Sequence, residues 1–196
     1  MKRLIPLLAF VATAAHAAVP ATPADIVRQV PAGYEVLTSV PLAGKSGRHF
    51  QIVALGRADE DAQLKRSGQA PARPLLIFEA RDGRFVPAGR NDHVVMRADE
   101  GGQCDPFLDD GGTIAVKGAF FTVENGVACG QHWTDYITFR LDERSGFVFD
   151  NERRESWSMN PSSAPDADAL VRDGPQHVIR DKPGQVTMFE AWRPKR

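Results

Sequence analysis

The sequence predicts an all-β protein: an antiparallel sandwich, an open barrel or a blade-like meander of short strands, with little helix and one disulfide. Apolar and polar residues alternate in many short segments, and the apolar positions are rich in β-branched and aromatic side chains. This pattern is typical of strands with one buried face. Pairs such as Asp82-Gly83 separate the segments and supply the positive-φ residues of tight hairpin turns. Candidate helical segments are restricted to residues 25–30 and 166–171.

The first half of the chain is predicted to consist of hairpins. We expect strands at residues 34–40, 49–55, 74–79, 84–88 and 93–96. The glycine-containing segment 44–47, the Asp82-Gly83 pair and the Asn91-Asp92 pair are the expected turns. Because the Asn91-Asp92 turn directly precedes residues 93–96, that segment is interpreted as a separate strand.

The stretch from 103 to 149 organises the second half, because both cysteines and six of the eleven phenylalanines lie in it. We expect strands at residues 113–117, 121–123, 137–141 and 147–149, followed by closing strands at 177–180 and 185–192. Lys117-Gly118 and Asn125-Gly126 are interpreted as the hairpin turns between them.

The amino terminus predicts export. Lys2 and Arg3 precede an apolar segment at 4–14, and Ala15-His16-Ala17 is an A-x-A cleavage site, which together are typical of a Sec-type signal peptide at 1–17. We expect cleavage after Ala17 and a periplasmic or secreted mature protein. No later segment approaches the about 20 apolar residues of a spanning helix, so we expect no membrane span.

The mature chain is predicted to form a single β-rich domain at 31–196 after a lead-in at 18–30 that includes one short helix. The charged segment near 57–73 is interpreted as a mobile loop, and the Pro- and Ser-rich segment near 158–166 as a linker. Loss of Lys2 and Arg3 changes the formal net charge from −1 to −3, which argues against nucleic acid as a partner.

Cys104 and Cys129 predict one disulfide, because paired cysteines in an exported chain are usually oxidised. The alternative is a thiol that binds metal or acts in catalysis. Only the spacing from Cys129 to His132 favours it, and no C-x-x-C is present. We therefore expect neither a metal site nor a cofactor.

The disulfide would bring Asp105, His132 and Asp135 together, and Trp133, Tyr136 and Trp157 are candidates for an aromatic binding platform. The candidate binding residues are Asp105, His132, Trp133, Asp135 and Tyr136. Because no catalytic motif is present, we expect a non-catalytic interaction or envelope protein whose partner is an unknown protein or envelope component. The alternative function is a cell-envelope hydrolase that uses Asp105, His132 and Asp135, although no known nucleophile motif accompanies them. The structural alternatives are that Asp105 caps a loop and that the aromatic residues fill the core.

Several short motifs occur in a familiar order. They are P-A-G-Y-E-V-L at 31–37, F-Q-I-V-A-L at 50–55, R-P-L-L-I-F at 73–78, D-G-R-F at 82–85, A-G-R-N-D at 88–92, C-D-P-F at 104–107 and H-W-T-D-Y-I-T-F-R at 132–140. Together they resemble a family of uncharacterised exported bacterial β-proteins with FG-GAP-like N-terminal segments. The resemblance implies a β-rich exported fold and no established activity. The Asp-rich segment of that family corresponds here to residues 42–48, which contain no acidic residue, so calcium binding is not expected.

Overall fold

The computed structural model describes residues 21–45, 47–109, 113–162, 164 and 166–194. Within these ranges it contains two antiparallel sheets and one disulfide, which confirms the predicted all-β class and identifies the architecture as a sandwich. The predicted signal peptide at 1–17 lies outside the described residues.

The first sheet has four strands in simple up-and-down order. They are β1 (Tyr34–Ala43), β2 (His49–Arg57), β3 (Arg73–Arg81) and β4 (Arg84–Val95). The turn between β3 and β4 places Asp82 at φ 50° and Gly83 at φ 75°, as predicted for a tight hairpin. The β3 strand is central and apolar, again as predicted.

The second sheet has six strands. They are β5 (Thr113–Lys117), β6 (Phe120–Val127), β7 (His132–Asp142), β8 (Gly146–Met159), β9 (Leu170–Arg172) and β10 (His177–Ile179). The order is β10-β8-β7-β6-β5, and β9 also pairs with β8. The 14-residue β8 therefore pairs with both of the strands that follow it in the chain, β9 and β10.

Aromatic rings join the two sheets in one core. The ring centroids of Phe50 on β2 and Phe147 on β8 lie 5.1 Å apart, and Phe121 stacks on Phe139 at 5.2 Å. Phe189 enters from a C-terminal 3₁₀ turn (Phe189–Ala191) and lies 5.1 Å from Phe139. Because truncating a buried phenylalanine typically costs about 3–5 kcal/mol, these rings contribute much of the stability.

The first sheet is also covered on its other face. The short helix α1 (Ala24–Val27), which matches the helix predicted in the lead-in, buries Ile26 completely in a second apolar cluster with Val53 and Phe78. Asp25 fixes this helix by accepting a hydrogen bond of 2.7 Å from the backbone N–H of Phe85, which lowers the pKa of Asp25.

The interpretation of residues 57–73 as a mobile loop missed a second helix, α2 (Glu60–Ser67), which lies there. It begins after Asp59, has acidic residues in its first turn and basic residues in its last, and ends at Gly68 in the left-handed conformation. None of its residues is buried. The helix was missed because it has no apolar stripe for a sequence pattern to show.

Two predicted turns are wrong for a shared reason. Asn91 lies within β4 and Asn125 within β6, and both side chains are buried anchors rather than turn formers. The Asn125 amide donates to the Val94 carbonyl at 3.0 Å, and its Oδ1 accepts from the Met96 N–H at 2.9 Å. The buried amide therefore ties the second sheet to the end of β4.

The end of the chain also differs from the predictions. Residues 185–192 do not form the predicted strand. Their pairing with the sheet is a single bridge between Met188 and Val148, and the 3₁₀ turn follows directly. The candidate helical segment at 166–171 instead leads into β9. The predicted linker near 158–166 overlaps the end of β8 and leads towards β9. Because β9 pairs with β8, this segment connects two paired strands.

Candidate functional site

A cavity of about 510 Å³ lies beside the inner face of β7 and β8. It is lined by the end of β4, by the two strands themselves, by the β9–β10 segment and by the C-terminal segment. The lining residues are His93, Met96, Glu100, Trp133, Thr134, Asp135, Ile137, Arg154, Glu155, Ser156, Arg172, Asp173, Pro175, His177, Trp192 and Pro194. We call it the Asp135 cavity.

The alternation of β7 aims Asp135 at this cavity. Ile137, Phe139 and Leu141 are buried on the inner face, and Asp135 occupies the next inward position along the same strand. Its side chain is therefore at the edge of the apolar core, and only 4% of the residue is exposed. A carboxylate in this position loses most of its hydration.

A bulge in β8 places two charged residues beside Asp135. Phe139 pairs with Phe149, but Thr138 pairs with Asn151, so Asp150 is the extra residue. Beyond the bulge, Glu152 faces Ile137 and Arg154 faces Asp135, on the inner face. Without the extra residue the alternation would send both side chains outward.

The guanidinium of Arg154 contacts two buried carboxylates, those of Asp135 and Glu152. The Nε of Arg154 lies 3.5 Å from Asp135 Oδ2, and its Nη2 forms an ion pair with Glu152, of which 1% is exposed. Asp135 Oδ1 and both carboxylate oxygens of Glu152 have no hydrogen-bond partner of good geometry among the described residues. The Arg154 contacts are thus ionic contacts that leave acceptors unsatisfied.

Burial and a like charge shift the acidity of Asp135. Loss of hydration has the largest effect, the negative charge of Glu152 adds to it, and Arg154 opposes both. Together they raise the pKa of Asp135 to about 7. Near neutral pH this carboxyl is therefore able either to hold a proton or to accept a hydrogen bond from a cation.

The apolar wall of the cavity is held by the C-terminal segment. Trp192 is 3% exposed and packs on Phe139 and Phe149, with ring centroids 6.1 Å away in each case. The Asn91 amide donates to the carbonyls of Phe189 at 2.5 Å and Trp192 at 3.1 Å. Asn91 therefore fixes the segment that places Trp192 against the cavity.

Two of the residues predicted from the sequence, Trp133 and Asp135, line this cavity. His132 points to the opposite face of β7 and lines a neighbouring cavity of about 510 Å³ with Trp157, to which Trp133 also contributes. Tyr136 is on the same outer face as His132, and the Arg153 guanidinium lies 4.2 Å from its ring centroid.

Asp105 lines neither cavity. Its Oδ1 accepts hydrogen bonds from the N–H groups of Phe107 at 2.8 Å and Leu108 at 3.1 Å, so it caps the loop. The buried guanidinium of Arg73 also binds it, with Nη1 2.7 Å from Oδ1. Burial alone would raise the pKa of Asp105, but these hydrogen bonds hold it below its usual value. Asp105, His132 and Asp135 are therefore not brought into one site.

The disulfide between Cys104 and Cys129 is present, with a Cα–Cα distance of 6.3 Å, which confirms the predicted pairing and removes the free-thiol alternative. It holds the Asp105 loop on the end of β6, where the Gly126 N–H donates to the Pro106 carbonyl at 2.7 Å. A side chain at Gly126 would bring its Cβ within 2.7 Å of the Trp133 carbonyl. Glycine is needed there for close approach of the strands, not for a turn.

Sequence reasoning missed His93, Glu152, Arg154, His177 and Trp192. Glu152 and Arg154 belong to the charged segment 151–155, and the bulge that turns them inward has no pattern in the sequence. His93, His177 and Trp192 come from segments far apart in the chain. Only the fold brings them together.

Among the described residues, no group of three or more histidine, cysteine and acidic side chains is arranged to hold a metal ion. In the same part of the chain, no helix has the length and apolar character that crossing a membrane requires. Comparisons of the chain with protein-family models, with curated proteins and with solved structures found no match. The resemblance to FG-GAP-like exported β-proteins stays a prediction.

Proposed function

We propose that this chain is an exported, non-catalytic β-sandwich that binds a small molecule in the Asp135 cavity. The observation that supports it is the carboxyl of Asp135, which is almost fully buried, lines the cavity and has one oxygen without a hydrogen-bond partner among the described residues. Buried polar atoms in native proteins are nearly always paired, and the exceptions tend to mark sites where a ligand or a proton completes the set.

The size and composition of the cavity fit a small molecule. Its volume of about 510 Å³ falls within the range of about 300–1,000 Å³ that is usual for ligand sites. Trp133, Ile137 and Trp192 supply apolar walls, while Asp135 and Arg154 supply converging polar groups. Such a combination binds a ligand by apolar contact and orients it by a few polar contacts.

Export is supported by two observations. The amino terminus has the pattern of a signal peptide, and the chain forms a disulfide, which persists mainly in oxidising compartments. Expression of the whole chain in a Gram-negative host, followed by intact-mass measurement of the periplasmic fraction, tests this part. A species that begins at Ala18 supports export, whereas an uncleaved chain confined to the cytoplasm contradicts it.

The hydrolase alternative keeps one supporting observation. A carboxyl whose pKa is about 7 suits a proton donor near neutral pH. Against it, Asp105 and His132 lie outside the Asp135 cavity, so the three residues of that alternative do not act on one substrate. Binding without turnover is therefore the function that the geometry supports best.

The three tryptophans of the chain allow a direct test. Trp133 and Trp192 line the Asp135 cavity, whereas Trp157 lines only the neighbouring one. We would screen a fragment library against ¹⁵N-labelled mature chain and follow the indole N–H signals, assigned with Trp→Phe variants.

Fragments that shift the signals of Trp133 and Trp192 more than that of Trp157 are expected. A screen in which no fragment shifts the first two signals contradicts the proposed function. Conversion of a bound fragment into a product during the same experiment would favour the hydrolase instead.

A further inference from the structure

We propose that the ligand of the Asp135 cavity carries a positively charged nitrogen group, an amine, amidine or guanidine, that donates hydrogen bonds to Asp135. This inference rests on the proposed function and adds the chemical class of the ligand.

The charge of the cavity favours a cation. Four carboxylates line it against two guanidiniums, those of Arg154 and Arg172. Two of these carboxylates also have cations outside the lining, since Glu100 contacts Arg97 and Glu155 contacts Arg153 as well as Arg172. Arg154, by contrast, is shared by Asp135 and the buried Glu152, so ionised Asp135 leaves one negative charge uncompensated there and an anionic ligand is disfavoured.

The unsatisfied oxygen favours a donor. Asp135 lines the cavity, and its Oδ1, an acceptor when ionised, has no hydrogen-bond partner among the described residues. A neutral hydroxyl group would satisfy this oxygen but would leave the excess charge in place. A nitrogen cation supplies both the donor and the charge, and such charge-assisted hydrogen bonds are the stronger class.

The walls favour an organic cation over a metal ion. Trp133 and Trp192 contribute indole rings, which attract cations placed over their faces. No group of three or more metal-ligating side chains occurs within the described ranges. The cavity is also far larger than a bare ion needs.

Benzamidine, benzamide and benzoate test this inference, because they share one flat shape and differ mainly in charge. We would titrate each into the mature chain and follow the indole signals of Trp133 and Trp192. Benzamidine is expected to bind with a Kd about tenfold or more below that of benzamide, the usual effect of a hydrogen bond to a charged group. Benzoate is expected to bind most weakly.

Two variants locate the effect. Asp135→Asn keeps the shape of the side chain and is expected to remove the preference for benzamidine. Asp150→Asn removes a charge at the bulge of the same sheet, where Asp150 lies 3.9 Å from Arg140 and outside the cavity, and is expected to keep the preference. The comparison of three ligands on the unmodified chain stands even if a variant fails to fold.

The outcomes separate the two proposals. Benzamide or benzoate binding in the cavity as tightly as benzamidine overturns the inference but leaves the proposed function standing. A preference for benzamidine that persists in Asp135→Asn also overturns it. Failure of all three probes to shift either indole signal overturns the inference, and only a fragment screen without hits would overturn the proposed function as well.

Discussion

Arg154 on β8 faces Asp135 on β7, and its Nε lies 3.5 Å from Asp135 Oδ2 while its Nη2 pairs with Glu152. A single cation thus stands between two buried carboxylates at the edge of the core. Because one positive charge cannot neutralise two negative ones, the site is completed by a proton on Asp135 or by a cation from outside. The stability of the free chain should therefore depend on pH.

The first prediction concerns this dependence. Folding raises the pKa of Asp135 from 3.8 to about 7, so between these values the native chain holds a proton that the unfolded chain has released. Stability therefore falls as pH rises through this window, by about 2 kcal/mol between about pH 5 and 8. Urea unfolding should show that Asp135→Asn removes this loss and is the more stable protein at the upper pH.

Other titratable groups face the same cavity and remain in both proteins. They are His93, Glu100, Glu155, Asp173 and His177, with Arg154 and Arg172 as the permanent charges. Glu152 does not line the cavity but is buried beside Asp135. The difference between the wild-type and variant curves therefore isolates Asp135. Asp150→Asn should keep the wild-type slope, and an equal slope in Asp135→Asn would contradict the assignment.

The second prediction concerns Arg73, whose side chain is 1% exposed. It binds Glu60 at the start of α2 with Nη2–Oε2 at 2.8 Å, and it binds Asp105 in the disulfide loop. Arg73→Met leaves both carboxylates without a cation, and breaking a buried ion pair in this way costs about 3–5 kcal/mol.

Denaturant unfolding measures this cost, with Arg90→Met as the matched control. Arg90 pairs with Asp92 at the surface, with 54% of its side chain exposed, so its loss should cost less than about 1 kcal/mol. An equal loss of unfolding free energy in the two variants would show that the buried Arg73 ion pairs stabilise the protein no more than a surface ion pair does.

The third prediction concerns the disulfide. The bond closes a loop with a sequence separation of 25, for which chain entropy predicts a loss of about 3 kcal/mol in Cys104→Ser/Cys129→Ser. Unfolding of the variant should match that of the reduced wild type. If the variant is as stable as the oxidised wild type, the loop does not depend on the bond for its position.

The fourth prediction concerns Asn91, whose Nδ2 donates to the carbonyls of Phe189 and Trp192. Asn91→Asp keeps the size of the side chain but replaces the donor with an acceptor, so both carbonyls lose their partner. We expect a loss of about 1–3 kcal/mol and faster hydrogen exchange at residues 188–192. Asp92→Asn, which alters an exposed neighbour, serves as the control. Unchanged exchange in Asn91→Asp would show that the C-terminal segment is held by apolar contacts alone.

The sequence pattern predicted the strands well because one-sided burial produces visible alternation. The Asp82-Gly83 turn and the strand at Ile137, Phe139 and Leu141 follow directly from it. It failed at Asn91 and Asn125, because a buried amide that links two elements is the same residue type as a turn former. It failed at 60–67, because a helix that buries none of its residues has no apolar face.

The candidate site was only partly predictable. Asp135 and Trp133 were found because they lie a few residues after Cys129, just before the alternating residues 137–141. Glu152 and Arg154 were not found, since the extra residue at Asp150 reverses the faces of β8 beyond it. A bulge is set by tertiary packing, and alternation alone therefore places these side chains on the wrong side.

A pH titration of the side-chain carboxyl carbon of Asp135, followed by ¹³C NMR, tests the account most directly. We expect a midpoint near 7 in the free chain, because burial and Glu152 disfavour the ionised form. The midpoint should fall when benzamidine is present at saturation, because a cation stabilises the carboxylate. A midpoint near the ordinary value of 3.8 in the free chain would show that Asp135 is already satisfied, and would contradict the account.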